Sequence, residues 1–146
     1  MPIFDDEYYM RIAMAEAEEA YTEGEVPVGA VVVANDVIIA KGHNQTEALK
    51  DVTAHAEIIA ITAAENHLAA KYLQECTLYV TLEPCLMCAG AIAHAQLKRL
   101  VFGAHDPKKG YSKYINNTFP SKIEIISGVL ATESTTLLKQ FFSERR

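Results

Sequence analysis

The apolar positions of the segment "DDEYYMRIAMAEAEEAYTEG" fall at Tyr9, Ile12, Ala13 and Ala20 with acids gathered around them, a spacing that predicts an amphipathic helix stopped at Gly24. The pattern then changes period. Two β-branched runs in "GAVVVANDVIIAKG", joined through Asn35-Asp36, predict a hairpin with a tight turn. "DVTAHAEIIAITAAENHLA" returns to helical spacing, with a cap expected at Asp51 or Thr53 and with Ile58, Ile59 and Ile61 expected to face the core. "TLYVTL" reads as a short strand. "PCLMCAGAIAHAQL" follows as a helix with Pro84 in its first turn, where a missing N–H costs nothing. "RLVFGA" is a further strand, "HDPKKGYSKYINNTFPS" an irregular stretch with room for one short helix, and "KIEIISGV" the last strand. The closing helix, "ATESTTLLKQFFSERR", carries Leu137-Leu138 and Phe141-Phe142 four residues apart and ends in Arg145-Arg146, whose charge suits a helix C-terminus.

Helices alternating with strands predict an α/β fold in which a central sheet is covered by helices on both faces. No internal repeat, linker or low-complexity tract divides residues 1–146, so one domain is expected. A chain of 146 residues can bury a core without disulfides, and its hydrophobic fraction of 50% is that of a globular protein. The acidic segment "MPIFDDEYYM" lacks the basic and apolar regions of a signal peptide, and no apolar run reaches the length of a membrane span. A cytoplasmic location is therefore expected, with Cys76, Cys85 and Cys88 reduced.

Charge changes the picture in one respect. The net value of −6 argues against a polyanionic partner, yet residues 1–97 carry −11 and residues 98–146 carry +5. A basic final third on an acidic body can meet a polyanion through one face. An uneven but merely solvated surface accounts for the same numbers equally well.

The chemistry-bearing stretch is "TLEPCLMCAGA", where Cys85 and Cys88 stand three apart behind Pro84. Such a pair has three readings. A structural zinc site needs four protein ligands, and Cys76 cannot complete one alone. A redox dithiol is a second reading, since a helix N-terminus lowers the pKa of a thiol at Cys85. The third is a catalytic zinc with three protein ligands and one open position, and "TAHAEI" offers His55 as the third ligand. Two residues on, Glu57 is placed to lean over that open position as a general base and then acid; the ordinary fate of a lone helix glutamate is to face solvent. If the two helix N-termini converge, their dipoles and free N–H groups offset the negative charge of two thiolates.

His-x-Glu followed by Pro-Cys-x-x-Cys resembles the signature of the zinc-dependent deaminases of bases and nucleosides. More narrowly, "EVPVGAVVV", "GHN", "TAHAEI", "LYVTLEPCLMCAGA" and "VFGAHDPKKG" resemble the bacterial tRNA adenosine deaminases, from about residue 8 to the C-terminus. The resemblance implies a cytidine-deaminase-like three-layer α/β/α sandwich around a mixed five-stranded sheet. It also implies hydrolysis of the wobble adenosine of a tRNA anticodon to inosine, one zinc per subunit and a homodimer, for which the alanine-rich "CAGAIAHAQL" suits a close helix contact. Carried over residue by residue, His55, Cys85 and Cys88 bind the metal and Glu57 moves protons. Asn44, Ala56 through its N–H, and Val26 form the base pocket, and Phe142 lies near the anticodon loop. Lys108, Lys109 and Lys113, with Arg145 and Arg146, are the expected phosphate contacts.

The chain departs from the family pattern after "VFGAHDPKKG". Where many relatives have a Gly- and Ser-containing loop it has "YSKYINNTFPS", whose Tyr111 and Tyr114 either stack on bases or pack against their own domain. Two other functions compete with tRNA deamination. One is a deaminase of a free base or nucleoside such as guanine or cytosine; the other is a binding or redox module without turnover. Cys76 is expected to be a small buried residue, His94 a packing or interface residue, and His43 and His67 surface or helix-end residues. Glu83 is expected to orient the loop before Cys85.

Overall fold

Asn35 and Asp36 both take left-handed backbone (φ 50° and 65°) and close the hairpin of β1 (Gly29–Ala34) and β2 (Val37–His43), the geometry whose twist matches paired strands. The computed structural model describes residues 4–115, 119 and 122–145. Its five-stranded sheet has the order β2-β1-β3-β4-β5, with β3 at Cys76–Leu82, β4 at Arg99–Ala104 and β5 at Glu124–Ile126. β1 runs antiparallel to β2 and β3, whereas β3, β4 and β5 are parallel, so the sheet is mixed. The run "KIEIISGV" pairs only at Glu124–Ile126, on the sheet's edge.

Alternate residues of the strands supply two cores. Val32, Leu78, Val80, Leu100 and Phe102 face α2 (Ala56–Leu68) and α3 (Leu86–Ala95). Val31, Val33, Tyr79 and Val101 face α1 (Asp6–Thr22), and α5 (Ala131–Ser143) lies against α1 through Tyr21 and Phe141. A short α4 (Ser112–Ile115) occupies the irregular stretch. This is the expected three-layer arrangement. No helix among the described residues is long and apolar enough to cross a membrane.

Two local expectations for α2 are corrected. Its N-cap is His55, and Asp51 instead accepts from the N–H and hydroxyl of Thr53 in the turn ahead of it. Its buried face is Ala56, Ala60 and Ala64 with Ile61, while Ile58 and Ile59 are half-buried. Small side chains at that spacing let the helix lie close on the sheet, so shape outweighed hydrophobicity. Gly24 does stop α1: at φ 80° its N–H reaches Tyr21 O at 3.1 Å while the Glu25 N–H reaches Ala20 O at 2.9 Å, a Schellman closure.

At the far edge of the sheet Arg99 grips Asp6 with both terminal nitrogens (3.1 and 2.9 Å) and Glu124 through Nε (2.5 Å), while the Tyr79 hydroxyl donates to Asp6 at 2.7 Å. The Arg99 hydrogen bonds, against the opposing effect of burial, hold the Asp6 carboxyl below its usual range. A depressed folded pKa contributes stability above the unfolded value, about 3.9, and loses it as pH falls through the folded one. Asp6→Asn should therefore cost about 1 kcal/mol at neutral pH and progressively less as pH falls below about 4, read from urea melts across that range.

Candidate active site

The segments carrying His55, Asn44 and the Cys85–Cys88 pair reach the same end of the sheet, where β3 and β4 end and β1 begins. Gly29 pairs with His43 there, and the Gly29 N–H donates to the Thr81 hydroxyl at 3.2 Å. Val26 and Val28 before β1, Asn44 after β2, Cys85 after β3 and His105 after β4 line one cleft of about 1290 Å³. Ligands of open α/β sheets bind outside the carboxyl ends of parallel strands for this topological reason.

His55 is the N-cap of α2 and Cys85 the N-cap of α3, each one residue ahead of its helix's first turn. Pro84 accordingly precedes the cap of α3 instead of lying in its first turn. Cys88 sits in the first turn proper and is fully buried. The two helix N-termini thus meet, and the ligand atoms of His55, Cys85 and Cys88 all lie within 4.8 Å of one another. His55 Nδ1 is 3.6 Å from Cys85 Sγ and 3.5 Å from Cys88 Sγ. A tetrahedral zinc with bonds of about 2.3 Å to sulfur and about 2.1 Å to nitrogen places those atoms about 3.6 Å apart, so the donor set fits that ion in spacing and in chemistry.

The two thiols are unequal. A hydrogen bond from Cys88, outweighing burial, holds Cys85 down to about 4, and the same bond pushes the Cys88 thiol up. His55 is raised by its hydrogen bond to Cys85 against the effect of burial. Glu57, 4% exposed, lines the cleft two residues beyond His55, and burial pushes its carboxyl up to about 7. A carboxyl in that range can both accept and release a proton near neutrality.

Asn44 lines the cleft with its Oδ1 accepting the Ala56 N–H at 2.9 Å. This corrects the expectation for Ala56, whose N–H is taken by Asn44 instead of standing open in the pocket. The same bond turns the Asn44 amide so that its NH₂ remains as donor. Val26 and Phe142 also line the cleft, Phe142 being 51% exposed. Lys108 and Lys109 stand at its rim, but Lys113 and Arg145 are not among its lining residues: the Lys113 ammonium donates to Lys108 O at 3.2 Å, and the Arg145 guanidinium stacks 3.8 Å over the Phe141 ring. Arg146 lies outside the described residues. Tyr111 is buried edge-on against Phe102 and Phe119, whereas Tyr114 is 56% exposed. Cys76 is buried, and His94 and His67 are exposed.

The sequence understated Glu83. Its carboxylate, 3% exposed, accepts from the Asp106 N–H (3.0 Å), the Ser112 N–H (2.9 Å) and hydroxyl (2.6 Å), and faces His105 Nδ1 at 3.3 Å. Burial opposes its charge, but the Ser112, Asp106 and His105 donors prevail and hold it below the usual range. Glu83 thereby folds the loop carrying Lys108 and Lys109 back over Cys85, which bridges to Gly110. A Cβ at Gly110 would lie 2.4 Å from the Glu83 carboxyl carbon. Gly110→Ala should destabilise the protein by about 2 kcal/mol in chemical melts; a change below about 0.5 would mean the loop yields freely. His43, expected at the surface or a helix end, is half-buried: its ring nitrogens lie 3.0 and 2.9 Å from Glu16 and Glu23, and although burial opposes the charge these bonds raise its pKa. Lys50 and Lys139 line the cleft without having been singled out, since a lone lysine carries no sequence signal of its place.

Residues 4–146 match the MafB19-like deaminase family. A tRNA-specific adenosine deaminase of Bacillus subtilis (strain 168) is 46% identical over 97% of this chain and 91% of its own length. Among solved structures, one from work on A-to-I editing by tRNA:A34 deaminases at the wobble position of transfer RNA superposes with a TM-score of 0.84 and 42% identity, covering 90% of this chain and 99% of that one. A guanine deaminase from Bacillus subtilis superposes with a TM-score of 0.69 and 32% identity, covering 97% and 94%.

Proposed function

This chain belongs to the tRNA-specific adenosine deaminase family, and from that premise we propose that it hydrolyses the wobble adenosine of a tRNA anticodon to inosine and ammonia. The observation that carries the reading is the meeting of two helix N-termini that brings His55, Cys85 and Cys88 within 4.8 Å of one another beside the buried Glu57. His55, Cys85 and Cys88 hold one zinc per subunit. Bound there, zinc supplies Lewis-acid activation of water at neutral pH. Glu57 takes a proton from the water that adds to C6 of the adenine and delivers it to N1, then takes the remaining proton of the new C6 hydroxyl and passes it to the amino nitrogen, so that the C–N bond breaks, ammonia leaves and the C6 carbonyl forms. The Asn44 NH₂ donates to the base edge, held in that orientation by the Ala56 N–H, and Val26 packs against the base. Phe142 and the rim lysines Lys108 and Lys109 meet the anticodon loop and its phosphates.

Hydrolysis of a free base is supported less well, since the guanine deaminase is the more distant likeness in both identity and superposition. A second copy of the chain fits α3, where Leu86 and Met87 are 49% and 39% exposed and the position of Gly90 faces open space. The deciding experiment incubates the zinc-loaded protein with a tRNA bearing adenosine at the wobble position, and separately with guanine, cytosine and adenosine. Inosine in the tRNA is the expected product; ammonia from a free base with no inosine in tRNA would refute the assignment.

A further inference from the structure

Glu25 carries a carboxylate that is 2% exposed and makes no ion pair among the described residues. A buried charge without a countercharge has to be held by hydrogen bonds. All of those given to Glu25 come from one segment: Oε1 accepts from the Glu47 N–H at 3.1 Å and the Thr46 hydroxyl at 3.4 Å, and Oε2 from the Ala48 N–H at 2.8 Å. Within segment 45–54 several amides close internal bonds, Leu49 to Gln45 O (2.9 Å), Asp51 to Thr46 O (3.1 Å) and Ala54 to Asp51 O (3.1 Å). Glu47 and Ala48 begin that turn and have no carbonyl behind them, the condition of any helix-like start. Glu25 supplies the missing acceptors from behind that segment, itself outside the cleft lining. Its own backbone is fixed by the Schellman closure at Gly24, so the end of α1 aims this carboxylate.

Segment 45–54 is one wall of the cleft, to which it contributes Thr46, Glu47, Lys50, Asp51 and Val52. Among the described residues Glu25 is the one side chain outside the segment that hydrogen-bonds to it. We propose that Glu25 is a positioning residue for the RNA substrate: its carboxylate pre-orders the wall that the anticodon loop meets, so that the ordering is complete before binding. The inference rests on the function proposed above. Glu57 and Cys88 lie within α2 and α3 and Cys85 caps α3, and although His55 follows the segment and donates to Thr53 O at 2.7 Å, none of the four bonds to Glu25, so loss of the clamp should weaken binding far more than it slows chemistry.

Glu25→Gln tests this with an isosteric side chain. Whichever way its amide turns, an NH₂ faces the N–H of Glu47 or Ala48, and the clamp opens. In the unaltered protein the amide protons of Glu47 and Ala48 should be protected from exchange although both residues are exposed. In Glu25→Gln that protection should vanish, trypsin should cut faster after Lys50, and KM for an anticodon stem-loop should rise about tenfold with kcat within about twofold of the unaltered enzyme at equal zinc content. Unprotected amides at Glu47 and Ala48 in the unaltered protein would overturn the proposal, even if Glu25→Gln fails to fold. So would an unchanged KM, or a fall in kcat at constant KM, which would move the effect to the metal or Glu57. An unaltered enzyme that leaves the stem-loop intact would refute the functional reading instead, while exchange and proteolysis still decide the clamp.

Discussion

Glu57→Ala should keep its zinc and lose deamination of tRNA by about three orders of magnitude or more, the scale of a general acid–base group that serves successive proton transfers. The separation of the two effects follows from geometry. The three ligand atoms come from His55, Cys85 and Cys88, so removing the Glu57 carboxylate takes nothing from the donor set. Its place is nevertheless inside the cleft, 4% exposed, where burial pushes it up to about 7. Glu57→Gln should fall as far as Glu57→Ala, because an amide keeps the shape and cannot carry the proton. Zinc content by atomic emission and inosine by nuclease digestion and chromatography would read the two effects independently. Near-normal turnover in either variant would mean that the proton passes elsewhere. A variant without zinc would instead place Glu57 in the ligand set. The same pair of measurements separates an enzyme from a binding or redox module, for which this carboxylate has no purpose.

The elements most legible in the sequence are those set by local backbone chemistry. Asn35-Asp36 tolerates the left-handed geometry of a hairpin turn and Gly24 that of a helix stop, and both are where the local pattern puts them. The His55 and Cys85-x-x-Cys88 halves were legible because metal coordination restricts residue type and spacing together. Position within the helices was less so: His55 and Cys85 are caps, and α2 buries alanines where its isoleucines had stronger apolar claims. Packing distance decided that face, and packing distance is not written in a hydropathy pattern.

Glu25 and Glu83 show a different kind of gap. Each is a buried carboxylate just ahead of a site segment, and each is satisfied largely by backbone N–H groups between 22 and 29 residues away. Backbone donors have no residue type, so no motif announces them. Ala56 illustrates the same limit from the donor side, because its N–H could have met a ligand or a neighbour, and the turn of Asn44 decided.

Cys85→Ser should abolish zinc retention and with it deamination, and this substitution isolates the metal from the fold more cleanly than any other ligand change. Cys85 is the N-cap of α3, and serine is among the preferred N-cap residues, so the helix start should survive the exchange. Cys88→Ser is the less clean exchange: its site is fully buried in the first turn of α3, so replacing the thiol also disturbs packing there irrespective of metal. A zinc ion bound to the folded chain and not to the unfolded one stabilises it according to its free concentration. The unaltered protein should therefore melt higher as zinc is added, whereas Cys85→Ser should melt at one temperature across the titration. Its α-helical circular dichroism should match that of the chelated parent, which distinguishes a lost ligand from a lost fold. Retention of zinc through dialysis by Cys85→Ser would show that the two sulfurs and Nδ1 do not form the ligand set, whatever their spacing.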